Sequence, residues 1–259
     1  MKRDSKKIKL KRNAEITPFV SAQAALLRKL IKKTKAKPAT GRVHDLRVCV
    51  RRLRTALWLA GHDKKIPRLG ALSGSLRNLG KILGGLRQLD VAIADAKFYR
   101  LPVGDLKVRR KEARKEADAA LAPKLGAALY KKLGRLVRVL NERGGGPLKG
   151  ASKLLGRVKT LKGPSPAPGA KGEFHLFRIF MKKVRYTIEA FGLKPGPIKT
   201  LHDQLGKAHD LEVLQRLVGK NGAVLKDEIL FRKRAAKIAG PAVRLARGRL
   251  AAIADARKK

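Results

Sequence analysis

The feature that most constrains the fold of this chain is an internal repeat of a segment that carries both an apolar stripe and a row of cations. Residues 41–61 read GRVHDLRVCVRRLRTALWLAG, and residues 172–192 read GEFHLFRIFMKKVRYTIEAFG. Glycine, histidine and arginine recur in register, with a basic pair between the two arginines. The matched positions are Gly41/Gly172, His44/His175, Arg47/Arg178, Arg51/Lys182, Arg52/Lys183, Arg54/Arg185 and Gly61/Gly192. Such a chain is expected to fold as two copies of one unit.

A second pair of segments extends the repeat. Residues 76–96, LRNLGKILGGLRQLDVAIADA, align with residues 198–218, IKTLHDQLGKAHDLEVLQRLV. In this alignment Arg87 stands where His209 stands, so both copies place a cationic or hydrogen-bonding side chain there. The repeat predicts a first helical unit over 15–145 and a second over 146–259, behind a basic tail over 1–14.

The composition and periodicity predict an all-α fold. Leucine and alanine dominate, and no segment alternates with the period of a strand. Helical patterns run over 16–33, 40–60, 66–98, 104–142, 147–160, 173–191, 196–218 and 222–256. Pro123 is expected to end or kink the fourth pattern, and Gly240-Pro241 to interrupt the last. A Pro/Gly loop is predicted at 161–172. The duplication implies two helical bundles related by an approximate two-fold axis.

The charge restricts the class of partner. The chain has 64 Lys plus Arg against 19 Asp plus Glu, a formal net charge of +45. Such a protein attracts polyanions, so nucleic acid, an anionic membrane surface and a phosphate polymer are the candidates. The single cysteine, Cys49, excludes a disulfide within the chain and fits a reducing cytoplasm. The apolar residues near the N-terminus are interrupted by Arg28 and Lys29, which predicts an amphipathic helix and no membrane span.

The cations form a row beside the apolar stripe. At 100° per residue, His44, Arg47, Arg51 and Arg54 fall within about 80° of one another. The corresponding residues of the second copy, which repeat these angles, are His175, Arg178, Lys182 and Arg185. Side chains at such a boundary bury their stems and present their heads along one line. Stacked like charges repel, so the row is interpreted as a cradle for a long anion. The alternative is a solvated or salt-bridged face, with Asp45, Asp90, Glu189, Asp210 and Glu212 as the nearest acids.

The second copy resembles a known family. The pattern H-x-x-R-I-x-x-K-x-x-R-Y-x-x-E, from His175 to Glu189, followed by LHDQLGKAHDLEVL, is similar to the CHAD family, the conserved histidine α-helical domain. The resemblance covers about 16–257. It implies two four-helix bundles with pseudo-two-fold symmetry around a basic central groove or channel. It also implies inorganic polyphosphate as the ligand and association with polyphosphate granules in the cytoplasm.

The predicted binding residues combine the four positions of each row, which the resemblance implies, with the basic neighbours Arg52 and Lys183 and the aligned pair Arg87 and His209. These are His44, Arg47, Arg51, Arg52, Arg54, Arg87, His175, Arg178, Lys182, Lys183, Arg185 and His209. Two departures concern acids beside the rows, because Gln88 stands at the place of Asp210 and Leu176 at that of Asp45. No acidic β-rich segment precedes the bundles, so a stand-alone binder is expected.

An enzyme is the first rival interpretation. His-Asp dipeptides occur at 44–45, 202–203 and 209–210, as in metal-dependent phosphohydrolases. Adjacent helical residues diverge by about 100°, so one dipeptide rarely supplies two ligands of a site, and the surrounding cations would repel a divalent metal. Cys49 lies about 140° from His44 on the helix and cannot act with it as a nucleophile. We expect no catalytic residues, no metal and no cofactor.

A nucleic-acid-binding helical protein is the second rival. The charge and the basic tail suit phosphate contacts. However, the chain has seven Phe, three Tyr and one Trp, which leaves few aromatic platforms for stacked bases. Side chains of Arg, Lys and His along a row neutralise phosphates and read no base sequence. Adventitious nucleic-acid binding is expected at low salt only.

Overall fold

The computed structural model describes residues 16–36, 39–59, 67–142, 149–164 and 171–255. Over these ranges it consists of nine α-helices without a strand, so the all-α prediction is confirmed. The helices are α1 (Thr17–Ala36), α2 (Thr40–Leu59), α3 (Pro67–Phe98), α4 (Gly104–Ala120), α5 (Pro123–Glu142), α6 (Lys149–Lys159), α7 (Lys171–Ala190), α8 (Pro197–Val218) and α9 (Gly222–Asp255). The predicted tail at 1–14 and part of the predicted loop at 161–172 lie outside the described residues.

The helices form two groups that meet through their repeated members. In the first group α2 packs on α1 and α3, α3 packs on α4 and α5, and α5 returns to α1. In the second group α9 packs along α8, α6 and α7, and α7 packs on α8. Between the groups α2 lies against α7 and α3 lies against α8. Because these are the two matched pairs of the repeat, the arrangement is compatible with the expected two-fold relation. The division of the chain at 145/146 stays a prediction.

The apolar stripes predicted for the repeated helices lie in the core. On α2 the stripe consists of Val43, Leu46, Val50, Leu53 and Leu57, and on α7 it consists of Phe174, Phe177, Met181, Val184 and Ile188; all are buried. Cys49 is buried beside them, its Sγ lies 3.3 Å from the carbonyl oxygen of Gln23, and burial raises its thiol pKa to about 12. Cys49 is therefore a core thiol, as its position on the helix indicated.

The two prolines predicted to break helices behave differently. The prediction for Pro123 is confirmed, since α4 ends at Ala120 and α5 begins at Pro123. The prediction that Gly240-Pro241 interrupts the last helix is wrong, because α9 runs unbroken from Gly222 to Asp255 with Pro241 inside it. A proline within a helix costs about 3 kcal/mol. Ala239, Ala242 and Val243 are buried around it, so core packing offsets that cost.

None of the helices within the described ranges combines the length and the hydropathy that crossing a membrane requires.

Candidate functional site

The cation row of α2 lies beside a glycine-bearing face of α3. A Cβ atom placed on Gly80 would lie 3.8 Å from Nη1 of Arg54 and 3.4 Å from Cγ1 of Val50. A Cβ atom on Gly84 would lie 3.9 Å from Nε of Arg47. These are ordinary van der Waals distances, so this face of α3 packs directly against the arginines and the row lies in a cleft between helices.

The rows of the two copies meet across the contact between α2 and α7. Burial, followed by the charges of Arg51, Arg178 and Arg47, lowers the pKa of the Lys182 amine to about 6. Burial followed by the charge of Arg51 lowers the pKa of Arg47 to about 10, and Arg178 contributes from the other copy. These mutual effects show that the two rows share one electrostatic environment.

Most of these cations have no carboxylate partner. None of Arg47, Arg51, Arg54, Arg178 and Lys182 forms an ion pair with a carboxylate in the part of the chain that the structure describes. Matched atoms of the two copies, Nε of Arg47 and Nε of Arg178, are buried without a hydrogen-bond partner. Buried donors without acceptors cost stability, and a ligand that brings negative oxygens would supply the missing acceptors.

One carboxylate, Asp210 of α8, acts on the centre of the cluster from a longer distance. Its charge raises the pKa values of Arg47, Arg178 and Lys182, and burial raises its own pKa. The charge of Glu212 also raises the pKa of Arg178, but neither carboxylate forms an ion pair with these three side chains. Since Gln88 takes the place of Asp210 in the first copy, that acid is present on one side only.

A pocket of about 310 Å³ opens at the C-terminal half of the α2 row. Its walls come from α2, α3 and α7 and carry five cations, which are Arg51, Arg54, Arg77, Lys182 and Lys183. The remaining lining residues are Thr55, Trp58, Ser73, Ile179 and Tyr186. The Lys183 ammonium lies 3.1 Å from the centroid of the Trp58 ring, a cation–π contact. The arrangement can hold a small, highly charged oxyanion group.

Arg77 and Ser73 line this pocket but are not among the residues predicted from the sequence. A signal was available, because Arg77 lies three residues before Gly80 and seven before Gly84. At 100° per residue these three positions share one face of α3 within about 60°. The glycines mark the face that approaches α2, and Arg77 could have been assigned from them.

The two repeat histidines, His44 and His175, lie near the aligned residues Arg87 of α3 and His209 of α8. Partial burial and then the charge of Arg87 lower the pKa of His44. In the other copy the rings of His175 and His209 lie 5.6 Å apart, centroid to centroid. Burial followed by Arg178 and His175 lowers the pKa of His209 to about 3. In each copy the repeat histidine therefore lies near the aligned residue of the neighbouring helix, His44 near Arg87 and His175 near His209. Both pairs lie outside the pocket.

Two of the twelve predicted residues are neutralised within the protein. The Glu189 carboxylate accepts hydrogen bonds from Arg52 at 3.0 Å and from Arg185 at 2.7 Å. Arg185 also lies 3.1 Å from Nδ1 of His202 and 3.7 Å from Asp203. Because Arg52 belongs to α2 and Arg185 to α7, Glu189 joins the two copies. The bond from Arg52 joins the two halves, whereas the bonds of Arg185 lie within the second copy. Both guanidinium groups are less available to a ligand than those of the cleft.

His202 is a further residue that the prediction left outside the site. Burial, followed by the charges of Lys182 and Arg185, lowers its pKa to about 3, so the imidazole is neutral. Its Nδ1 faces the Arg185 guanidinium, which can only donate. The proton of His202 is thus held on Nε2, a buried atom without a hydrogen-bond partner.

The described residues contain no group of three or more His, Cys, Asp or Glu side chains that could hold a metal ion.

The fold and the cleft define a class of helical proteins in which a duplicated unit joins two basic rows. The sequence profile of the CHAD domain matches residues 20–219, and the chain belongs to the CHAD domain family. Its structure is similar to the crystal structure of the CHAD domain from the plant Ricinus communis, with 23% identity, a TM-score of 0.57, and coverage of 96% of this chain and 90% of that one. It is also similar to PptA from Streptomyces chartreusis, with 14% identity, a TM-score of 0.56, and coverage of 91% and 97%. At these identities the likeness shows a common fold. No curated protein sequence gives a significant match.

Proposed function

We propose that this CHAD domain binds inorganic polyphosphate, without turning it over, in the cleft where the α2 and α7 rows meet. The observation that carries the proposal is the cluster of Arg47, Arg51, Arg54, Arg178 and Lys182, to which the described residues offer no ion-pairing carboxylate. Membership of the family supports inorganic polyphosphate as the ligand. A flexible chain with one charge at each phosphate can follow both rows and relieve their mutual repulsion.

Capture of this kind is multivalent. Each phosphate contact is weak, but linked contacts raise the local concentration of the next one. Neutralising several phosphates releases counterions, so the affinity falls steeply as salt rises. The proposed binding therefore strengthens with chain length. A protein that captures long chains in this way would collect at polyphosphate granules in the cytoplasm.

The site favours a phosphate polymer over nucleic acid. The single tryptophan of the chain, Trp58, has the Lys183 ammonium over its ring, so that ring face is not open to a stacked base. The other pocket walls present guanidinium, ammonium and hydroxyl groups, which bind phosphate oxygens and do not distinguish bases.

The first test compares two double charge reversals of equal size. Arg51→Glu with Lys182→Glu alters the cleft, whereas Lys107→Glu with Lys111→Glu alters exposed residues of α4. Binding of long-chain polyphosphate is measured by isothermal titration calorimetry at physiological salt, with circular dichroism to check the fold. The cleft variant should lose about a hundredfold or more in affinity, since each lost charge-assisted contact is worth about 1.5–3 kcal/mol. Equal losses in the two variants would contradict a localised site.

The second test separates the rival functions. Duplex DNA and RNA, added at equal phosphate concentration and physiological salt, should fail to displace labelled polyphosphate; efficient displacement would favour a nucleic-acid binder. Incubation of the protein with polyphosphate and Mg²⁺ should release no orthophosphate. Release that disappears in Lys182→Met or His44→Ala would identify an enzyme.

A further inference from the structure

The cation row of α2 ends at an aromatic wall. His44, Arg47, Arg51 and Arg54 are spaced by three and four residues, and Trp58 takes the next place in that series. Trp58 is held from behind by α6, since a Cβ on Gly150 would lie 2.9 Å from its Cζ3 atom and 3.0 Å from the Cα atom of Leu59. A polyanion that follows the row therefore meets the Trp58 ring at this end, which packs against α6 and has the Lys183 ammonium 3.1 Å from its centroid.

Helix α3 adds a cation next to this wall that does not belong to the two rows. Arg77 lines the pocket with Arg51 and Arg54, and its charge, after burial, contributes to the lowered pKa of Arg54. Arg77 forms no ion pair with any carboxylate among the described residues. Its counterpart in the second copy, Lys199, is exposed and lies 3.0 Å from Asp203. Arg77 is thus an additional cation at the pocket, whereas the residue at the matched position of the second copy is paired with a carboxylate at the surface.

Hydroxyl groups complete the lining. Thr55, Ser73 and Tyr186 reach the same pocket from α2, α3 and α7. A hydroxyl group can donate to phosphate oxygen and can also accept from a protonated one. Hydroxyl donors beside several cations suit a group that has more oxygens and more charge than an inner phosphate.

We propose that this pocket binds the terminal phosphate of a polyphosphate chain and that Arg77 is the residue that distinguishes an end from an inner segment. The proposal rests on the proposed function. An end group has three non-bridging oxygens and a second ionisation near neutral pH, as phosphate monoesters do, whereas an inner phosphate has two such oxygens and a single charge. The end lies against Arg54, Arg77 and the Trp58 wall, and the inner phosphates continue past Arg51 towards Arg47 and Arg178.

The test compares phosphates with and without ends. Linear tripolyphosphate has two terminal groups, whereas cyclic tetrametaphosphate has similar charge and none. Because Trp58 is the single tryptophan of the chain, its fluorescence reports occupation of the pocket directly. The linear compound should change the emission and displace labelled long-chain polyphosphate at a concentration at least about tenfold lower than the cyclic one.

Arg77→Gln, paired with Lys199→Gln as the repeat-matched control, tests the assignment of the residue. Arg77→Gln should lower the affinity for tripolyphosphate about tenfold, because one charge-assisted contact is lost. It should leave the affinity for cyclic tetrametaphosphate within about twofold of the wild-type value. Lys199→Gln should change neither. Equal competition by linear and cyclic compounds, or equal losses for both in Arg77→Gln, would overturn end recognition while long-chain binding persists. Absence of long-chain binding to the wild-type protein would instead overturn the proposed function itself.

Discussion

The last arginines of the two rows stand at matched positions of the repeat but have different neighbours. Arg54 closes the row of α2 and Arg185 closes the row of α7. Arg54 is exposed at the pocket without an ion-pairing carboxylate among the described residues. Arg185 has a side chain that is 16% exposed and bonds to Glu189. Identical residues at matched positions thus differ in their availability to a ligand.

The difference comes entirely from the neighbours. Arg185 is held by Glu189, His202 and Asp203. The alignment places Trp58, Gly80 and Lys81 at the matching positions of the first copy. None of these three can accept a charged hydrogen bond from an arginine side chain. The second copy therefore neutralises its last arginine internally, while the first leaves its last arginine without a carboxylate partner among the described residues.

The largest expected effect is a loss of stability on breaking the network of the second copy. Arg185→Gln leaves Glu189 with Arg52 as its remaining partner and should lower the free energy of unfolding by about 2–3 kcal/mol. Arg54→Gln should change it by no more than about 0.5 kcal/mol, since Arg54 has no such bonds, and should weaken polyphosphate binding. Urea denaturation of both variants measures the contrast. If the two arginines destabilise equally on substitution, the division of roles between the copies is wrong.

A gain in stability is expected from removing the most strongly perturbed cation of the cleft. Lys182 faces Arg51 and Arg47 on α2, Arg178 on its own helix, and Asp210 and His202 on α8. Lys182→Met should raise the free energy of unfolding at pH 7 by about 1–2 kcal/mol and weaken polyphosphate binding. Lys107→Met, on the exposed side of α4, serves as the matched control and should alter neither property.

The stability gained by Lys182→Met should depend on pH, and the lowered pKa of Lys182 fixes the sign of that dependence. The folded-state pKa of Lys182, about 6, lies below that of an unfolded chain, so the unfolded state holds the proton more tightly. Stability of the wild-type protein therefore rises as the pH increases from about 6 towards about 10. The advantage of Lys182→Met is full at and below pH 6 and shrinks above it. Urea midpoints measured at several pH values check this, and an advantage that grows with pH would contradict the buried-cation account.

The smallest effect concerns the prolines of the long helices. Pro241→Ala restores a backbone donor inside α9 and should stabilise the protein by about 1 kcal/mol. Pro123→Ala should change stability by less than about 0.5 kcal/mol, because the first N–H of a helix has no partner within it. Thermal denaturation of the two variants compares them. A destabilised Pro241→Ala would show that the proline provides a bend that α9 needs.

Much of the site could be predicted because it depends on the spacing of residues along single helices. The cation rows, the apolar stripes and the buried Cys49 follow from helical periodicity, and the repeat shows which residues correspond. The break at Pro123 also followed from a local rule. The rule failed at Pro241, where Ala239, Ala242 and Val243 are buried in contacts that no short segment contains.

The pairing of the cations could not be predicted from spacing. Arg185 and Glu189 are four residues apart, so an ion pair between them is expected from helical spacing. The same carboxylate also binds Arg52, which is 137 residues away in the sequence. Likewise Arg77 lies outside the two predicted cation rows, and only the close approach of α3 to α2 brings it into the pocket.

By itself the sequence determined that this protein is helical, duplicated and lined with two matched rows of positive charge, because periodicity and charge are properties of neighbouring residues along one helix. The tertiary structure alone decided which of those charges are neutralised internally and which face the cleft. The physical reason is that an ion pair depends on a few ångströms between side chains, and those distances are set by how separate helices pack.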